Sequence, residues 1–104
     1  MVDTNAPTSS YRDEFLNWFP EFDGHRLVWI DADPALAWKN NCARERHVNR
    51  ETFDHVVSMF EPPSAGEGAA VSRAFWSTIC RIRNVDNEFQ PPEFIKGEPW
   101  DCSL

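Results

Sequence analysis

The sequence predicts a mixed α/β domain, and three observations carry that expectation. Leu27 to Ile30 is a short apolar run with β-branched and aromatic bias. Asp31-Ala32-Asp33-Pro34 then turns the chain straight into a helix, with Asp33 placed to cap it and Pro34 at its first position. Downstream, Phe53, Val56, Val57 and Phe60 recur at i, i+3, i+4 and i+7 before Pro62-Pro63 stops the pattern. A strand whose carboxyl end feeds directly into a helix is the local signature of α/β folds.

The elements follow in order. Residues 1–10 are polar and turn-rich, and Ser10 with Asp13 offers a capping-box start for a helix from Tyr11 to Phe19. Its apolar face would be Tyr11, Phe15, Leu16, Trp18 and Phe19, and Pro20 with Asp23-Gly24 releases the chain into the 27–30 strand. The second helix is expected from Pro34 to about Arg46, with only Leu36 and Trp38 as larger apolar residues, so it should pack partly. Asn49 caps the third helix, and 64–68 is loop. Residues 69–83 read as a short helix followed by a strand that includes Trp76 to Ile82. Beyond Asn84 the acidic, Pro-rich stretch predicts an irregular tail at 85–104, laid over apolar surface through Phe89, Phe94 and Trp100.

Composition narrows the classes of function. The chain has 104 residues, 41% of them hydrophobic and 13% aromatic, which supports one folded domain and not disorder. A formal net charge of −7 argues against strong non-specific binding to nucleic acid or anionic membrane, since that binding comes from accumulated Lys and Arg. The charge is unevenly spread, however. Lys39, Arg44, Arg46 and Arg50 place four of the ten basic residues within twelve positions, and Arg73, Arg81 and Arg83 form a looser group. A locally basic, globally acidic chain suits a small phosphorylated ligand. Cys42, Cys80 and Cys102 are odd in number and lack CxxC spacing, so neither a disulfide framework nor a zinc site is expected, and a reducing cytoplasm is the expected setting. No apolar run approaches the roughly 20 residues of a membrane span.

Several motifs in fixed order resemble the carboxy-terminal half of small P-loop kinases, the group that includes AAA-type ATP-dependent kinases, polynucleotide-kinase-like domains and seryl-tRNA kinases. They are Val2-Asp3-Thr4-Asn5 followed by Tyr11-Arg12; Val28-Trp29-Ile30-Asp31-Ala32; Asn41 with Arg44, Arg46 and Val48; and Met59-Phe60-Glu61-Pro62-Pro63 with Glu67. The resemblance spans about residues 2–84. It implies a partial three-layer α/β fold with a lid helix pair, ATP and Mg²⁺ as cofactors, Arg44 and Arg46 as lid arginines, Asn41 as a further cofactor-binding residue, and Asp3 near the phosphoryl acceptor. The nucleotide cradle itself is not here. A P-loop needs a glycine-rich turn followed by Lys and Ser or Thr, whereas Gly66 and Gly68 have no such sequel and Lys96-Gly97 lies near the carboxyl end. The expectation is therefore a truncated or split kinase-like protein. It would transfer phosphate from ATP to a nucleic-acid, tRNA-linked or nucleoside hydroxyl only with a P-loop-bearing partner.

Each candidate has an ordinary reading beside the functional one. Arg44 and Arg46 stand where a helix macrodipole favours cations, so they need no ligand to explain them. Asp3 and Asn5 are equally well a fraying terminus. Asp31 and Asp33 could be paired carboxylates, but capping accounts for Asp33 and solvation at a strand end for Asp31. His47 and His55 with Glu51 would not share a helix face, and Ser64 and Ser72 lack a His or Asp partner at triad spacing. The rival class is a small acidic, non-catalytic interaction or regulatory module whose aromatic surface docks on another protein, or on a second copy in a homo-oligomer.

Overall fold

The computed structural model describes residues 6–18, 24–67 and 76–100, and within them three helices and a four-stranded mixed sheet form. Helix α1 spans Ser9–Trp18, strand β1 His25–Ala32, helix α2 Pro34–Cys42, helix α3 Arg50–Met59, strand β2 Trp76–Val85, strand β3 Glu88–Phe89 and strand β4 Glu93–Lys96. The mixed α/β class expected from the sequence is present. No helix among the described residues is long and apolar enough to cross a membrane.

β2 is the centre of the sheet. β1 lies parallel to it, in register from Arg26 opposite Thr78 to Ala32 opposite Asn84. Parallel neighbours cannot be joined by a tight turn, and here α2 and α3 lie in the connection. On the other side of β2, β3 pairs antiparallel at Asn84–Val85 and β4 at Ile79–Arg81.

Because side chains alternate along a strand, the register sorts the core into two faces. One face carries Leu27 and Ile79, and there Leu16 of α1 packs in a cluster with Trp76, Ile79, Leu27 and Ile95. The opposite face carries Val28 and Cys80, clustered with Ile82, Phe94 and Trp100. Trp100 is also covered by Arg26, whose guanidinium stands 4.4 Å from the ring centroid. Cys80 is a small core residue as expected, and Cys42 is exposed.

Several boundaries differ from the sequence reading. The segment after Asn84 is not irregular throughout. Asp86 and Asn87 both have positive φ, 51° and 67°, which is the two-residue turn that matches strand twist, and the chain returns along β2 as β3 and β4. Pro91-Pro92 merely interrupts the returning strand. Gly97 then turns the chain with φ 83°, in contact so close to Ser77 that a side chain would strike the backbone oxygen there.

Helix α1 begins before Ser10. Thr8 caps it instead, its Oγ1 accepting from the Tyr11 amide at 3.1 Å and its carbonyl from the Arg12 amide at 3.1 Å. Of the expected apolar face only Leu16 is fully buried, while Tyr11 and Trp18 are largely exposed; Phe19 lies outside the described residues. Helix α2 keeps its Asp33 cap, Oδ1 accepting from the Ala35 amide at 2.8 Å, but ends at Cys42 and not near Arg46. Asn40 and Asn41, poor helix formers that bond elsewhere, sit in its last turn. Helix α3 is capped by Asn49 at 2.8 Å from the Thr52 amide, as expected, and its end precedes Pro62-Pro63. The short helix expected from residue 69 falls outside the described residues, whereas the following strand is β2.

Candidate functional site

Two features of the described residues bear on function: a clamped loop that displays unpaired arginines, and an open cleft at the ends of the parallel strands.

The loop joins α2 to α3. Ala43 closes α2, its amide bonding the Lys39 carbonyl at 3.2 Å, and residues 43–48 are all exposed. Asn41, by contrast, is only 6% exposed. Its Nδ2 donates to the Val48 carbonyl at 2.9 Å and its Oδ1 accepts from the Val48 amide at 3.1 Å. Both ends of the amide are thus committed to one backbone unit, and Arg44 and Arg46 project between the two anchored points. Among the described arginines these two alone have neither a carboxylate nor an aromatic partner. Arg12 pairs with Glu67, Arg50 with Asp54, Arg81 with Asp31 and Arg83 with Glu93, while Arg26 covers Trp100.

The cleft lies where α/β folds place ligands, outside the carboxyl ends of β1 and β2 and at the start of α2. It encloses about 490 Å³ and is open to solvent, lined in part by Asp31, Asp33, Arg81, Arg83 and Asn84. Arg81 stands opposite Trp29, its guanidinium 4.9 Å from the ring centroid, and holds Asp31 in an ion pair whose Nε contact is 2.7 Å. Trp29 also meets Phe60 at the end of α3, with ring centroids 5.7 Å apart. Arg83 reaches Glu93 on β4 at 3.5 Å. Asn84 lines the cleft, and its buried Oδ1 accepts no hydrogen bond from the described residues. Asn40 donates to Asn87 at 2.8 Å and ties α2 to the β2–β3 turn beside the cleft.

Magnesium needs only one or two carboxylates beside the phosphates of its ligand. No group of three or more His, Cys, Asp and Glu that could hold a metal ion occurs among the described residues, Asp31 is paired with Arg81, and Asp33 caps α2. His47, His55 and Glu51 are exposed and form no cluster. Asp3 and Asn5 lie outside the described residues. Arg44 and Arg46 do not line the cleft.

A third constellation holds the architecture together. Arg12 and Glu67 are 3% and 6% exposed and form a buried ion pair through Nε. The same guanidinium donates to the Ala6 carbonyl at 2.8 Å and to the Glu61 carbonyl at 2.7 Å. The Glu61 amide returns a bond to the Pro7 carbonyl at 2.7 Å, so the start of α1 is stitched to the segment leaving α3. Glu67, one of the residues that carry the resemblance, is thus the ion-pair partner of Arg12. Beside the pair, burial and then the Glu67 charge push the Asp13 carboxyl above the ordinary range, against the opposing pull of Arg12.

A raised folded-state pKa means that the folded protein holds this proton more tightly than the unfolded chain. Stability is therefore greater below the unfolded value and falls as pH rises through the folded one. Asp13→Asn is expected to remove this group's share of the decline in urea midpoint as pH rises above the ordinary aspartate range. An unchanged slope in the variant would assign the decline to other groups.

Sequence reasoning missed three things: the Arg81–Asp31 pair, the Arg12–Glu67 pair and the clamping role of Asn41. The first had a visible signal. Two acidic residues at the end of one strand and two arginines spaced i, i+2 near the end of another would meet if the strands were parallel neighbours. Comparisons with known proteins leave the chain without a match, since no family model, no curated protein and no solved structure matches it.

Proposed function

We propose that the chain is the carboxy-terminal half of a small P-loop kinase-like phosphotransferase. A P-loop-bearing polypeptide would complete it, for transfer of the ATP γ-phosphoryl group to a nucleic-acid, tRNA-linked or nucleoside hydroxyl. The observation that carries this reading is the clamped 43–48 loop, on which Arg44 and Arg46 have no carboxylate or aromatic partner among the described residues while the other described arginines are engaged. Unpaired guanidiniums on an ordered loop suit a ligand rich in anionic oxygens. In this reading they close over the phosphates and offset the charge that builds in the transition state. The cleft beyond β1 and β2 takes the remainder of the nucleotide.

The same reading accommodates the sheet. Among the described residues β1 has β2 on one side and no strand on the other, so a parallel strand that ends in a P-loop has an edge to extend. That polypeptide brings the glycine-rich cradle, its Lys and the residues that bind Mg²⁺. The test is phosphoryl transfer from γ-labelled ATP, with a 5′-hydroxyl oligonucleotide, a nucleoside and seryl-tRNA offered in parallel. The chain alone should give none, and the chain with the amino-terminal half of such a kinase should label one acceptor. Turnover by the chain alone, or none from the assembled pair, would refute the proposal.

The second reading, a non-catalytic interaction module, draws on exposed large apolar side chains such as Trp18, Ile30, Met59 and Phe89. Deleting residues 85–104 would not isolate it, because the deletion strips β3 and β4 from the sheet.

A further inference from the structure

The geometry points to Asn41 as the positioning residue that fixes Arg44 and Arg46 for phosphate, an inference that rests on the phosphate reading of their loop. The helices on either side are braced by Trp38 of α2 against Phe53 of α3, ring centroids 5.2 Å apart, but no apolar side chain between them is buried. Residues 43–47 are Ala, Arg, Glu, Arg and His, all exposed, and Val48 is itself 45% exposed. What closes the loop is the pair of hydrogen bonds from the buried Asn41 amide to both backbone groups of Val48. Past Val48, Asn49 caps α3, so the chain is fixed again at once. The arginines thus sit on a short span held at both ends.

Asn41 is 6% exposed and spends one amide N–H and its Oδ1 on Val48, so it acts here through the loop. Its contribution is preorganisation. Without the clamp the loop samples many conformations, and a ligand that needs both guanidiniums must bear the cost of ordering them. The Asn40 bond to Asn87 steadies the same end of α2 against the sheet, so the clamp works from a fixed base.

Asn41→Ala removes both bonds. Asn41→Asp keeps an acceptor for the Val48 amide but offers the Val48 carbonyl no donor. Tripolyphosphate is the probe, with its affinity measured by calorimetry, and Val48 amide hydrogen exchange is followed in the same samples. The wild-type chain should bind; the Ala variant should lose roughly tenfold in affinity and the Asp variant an intermediate amount, with Val48 protection falling in the same order. A purely structural Asn41 would lower the melting temperature and leave the affinity of the folded molecules alone. Wild-type affinity in a folded Ala variant whose Val48 amide exchanges freely would overturn the inference. If the Ala variant does not fold, the Asp variant decides on the same criterion. No binding by the wild-type chain would sink the phosphate reading and this inference with it, a result distinct from binding that ignores Asn41.

Discussion

Replacing Arg12 with Ala should destabilise the protein by about 3–5 kcal/mol, the usual cost of removing one partner from a buried ion pair. The variant leaves Glu67, itself 6% exposed, as a buried carboxylate with no cation against it, and strips a donor from each of the Ala6 and Glu61 carbonyls. Such a loss is a large share of the total stability of roughly 5–15 kcal/mol that holds a domain folded. It should also free α1 from the segment after α3, which these bonds stitch together. Arg12→Lys should recover only part of the loss, because an ammonium cannot reach the carboxylate and both carbonyls in the fork that a guanidinium spans. A double variant that replaces Arg12 and Glu67 with apolar residues of similar volume should be far milder than Arg12→Ala, since no charge is then left buried alone. Urea melts of the three variants measure this. A loss below about 1 kcal/mol for Arg12→Ala would mean that the pair behaves as a solvated one.

Replacing both Arg44 and Arg46 with Ala should do the reverse, leaving stability nearly intact while abolishing any transfer measured in the proposed complex with a P-loop-bearing partner. Exposed cations just past a helix end contribute about 0.3–1 kcal/mol, and these two make no ion pair or hydrogen bond through their guanidiniums to other described residues. Groups that meet charge developing in a transition state cost several kcal/mol in barrier when lost, or a factor of hundreds or more in rate. A double variant that keeps its transfer rate and loses a little stability would return both residues to the ordinary role of helix-end charges.

What the sequence made legible was local chemistry. Asp33-Pro34 and Asn49 announce their helices because capping is settled within three residues, and the Phe53 to Phe60 stripe announces α3 because its period is helical. Contacts across the fold were hidden. Arg12 and Glu67 are 55 positions apart, and nothing at either position signals the other. The return of the chain through β3 and β4 was masked by composition: acidic and Pro-rich residues suggested a tail, while the decisive Asp86-Asn87 turn is a feature of two residues. At the candidate site, the cluster of cations around Arg44 and Arg46 was visible. That these two alone lack partners among the described arginines was not, because every partner of the others except Asp54, one turn from Arg50, is distant in sequence. Asn41 was singled out by resemblance as a cofactor residue, whereas its two bonds to Val48 had no signal in the sequence.

The central claim is that Arg44 and Arg46 form a phosphate-binding element, and their own guanidinium signals test it most directly. Titration of the isotope-labelled chain with tripolyphosphate, followed by NMR of the arginine Nε–Hε groups, should move the Arg44 and Arg46 resonances together along one saturable curve. Arg50 and Arg83, held by Asp54 and Glu93, should stay in place. Saturation at Arg81 and Arg83 with Arg44 and Arg46 unmoved, or no saturable shift at any arginine, would contradict the account.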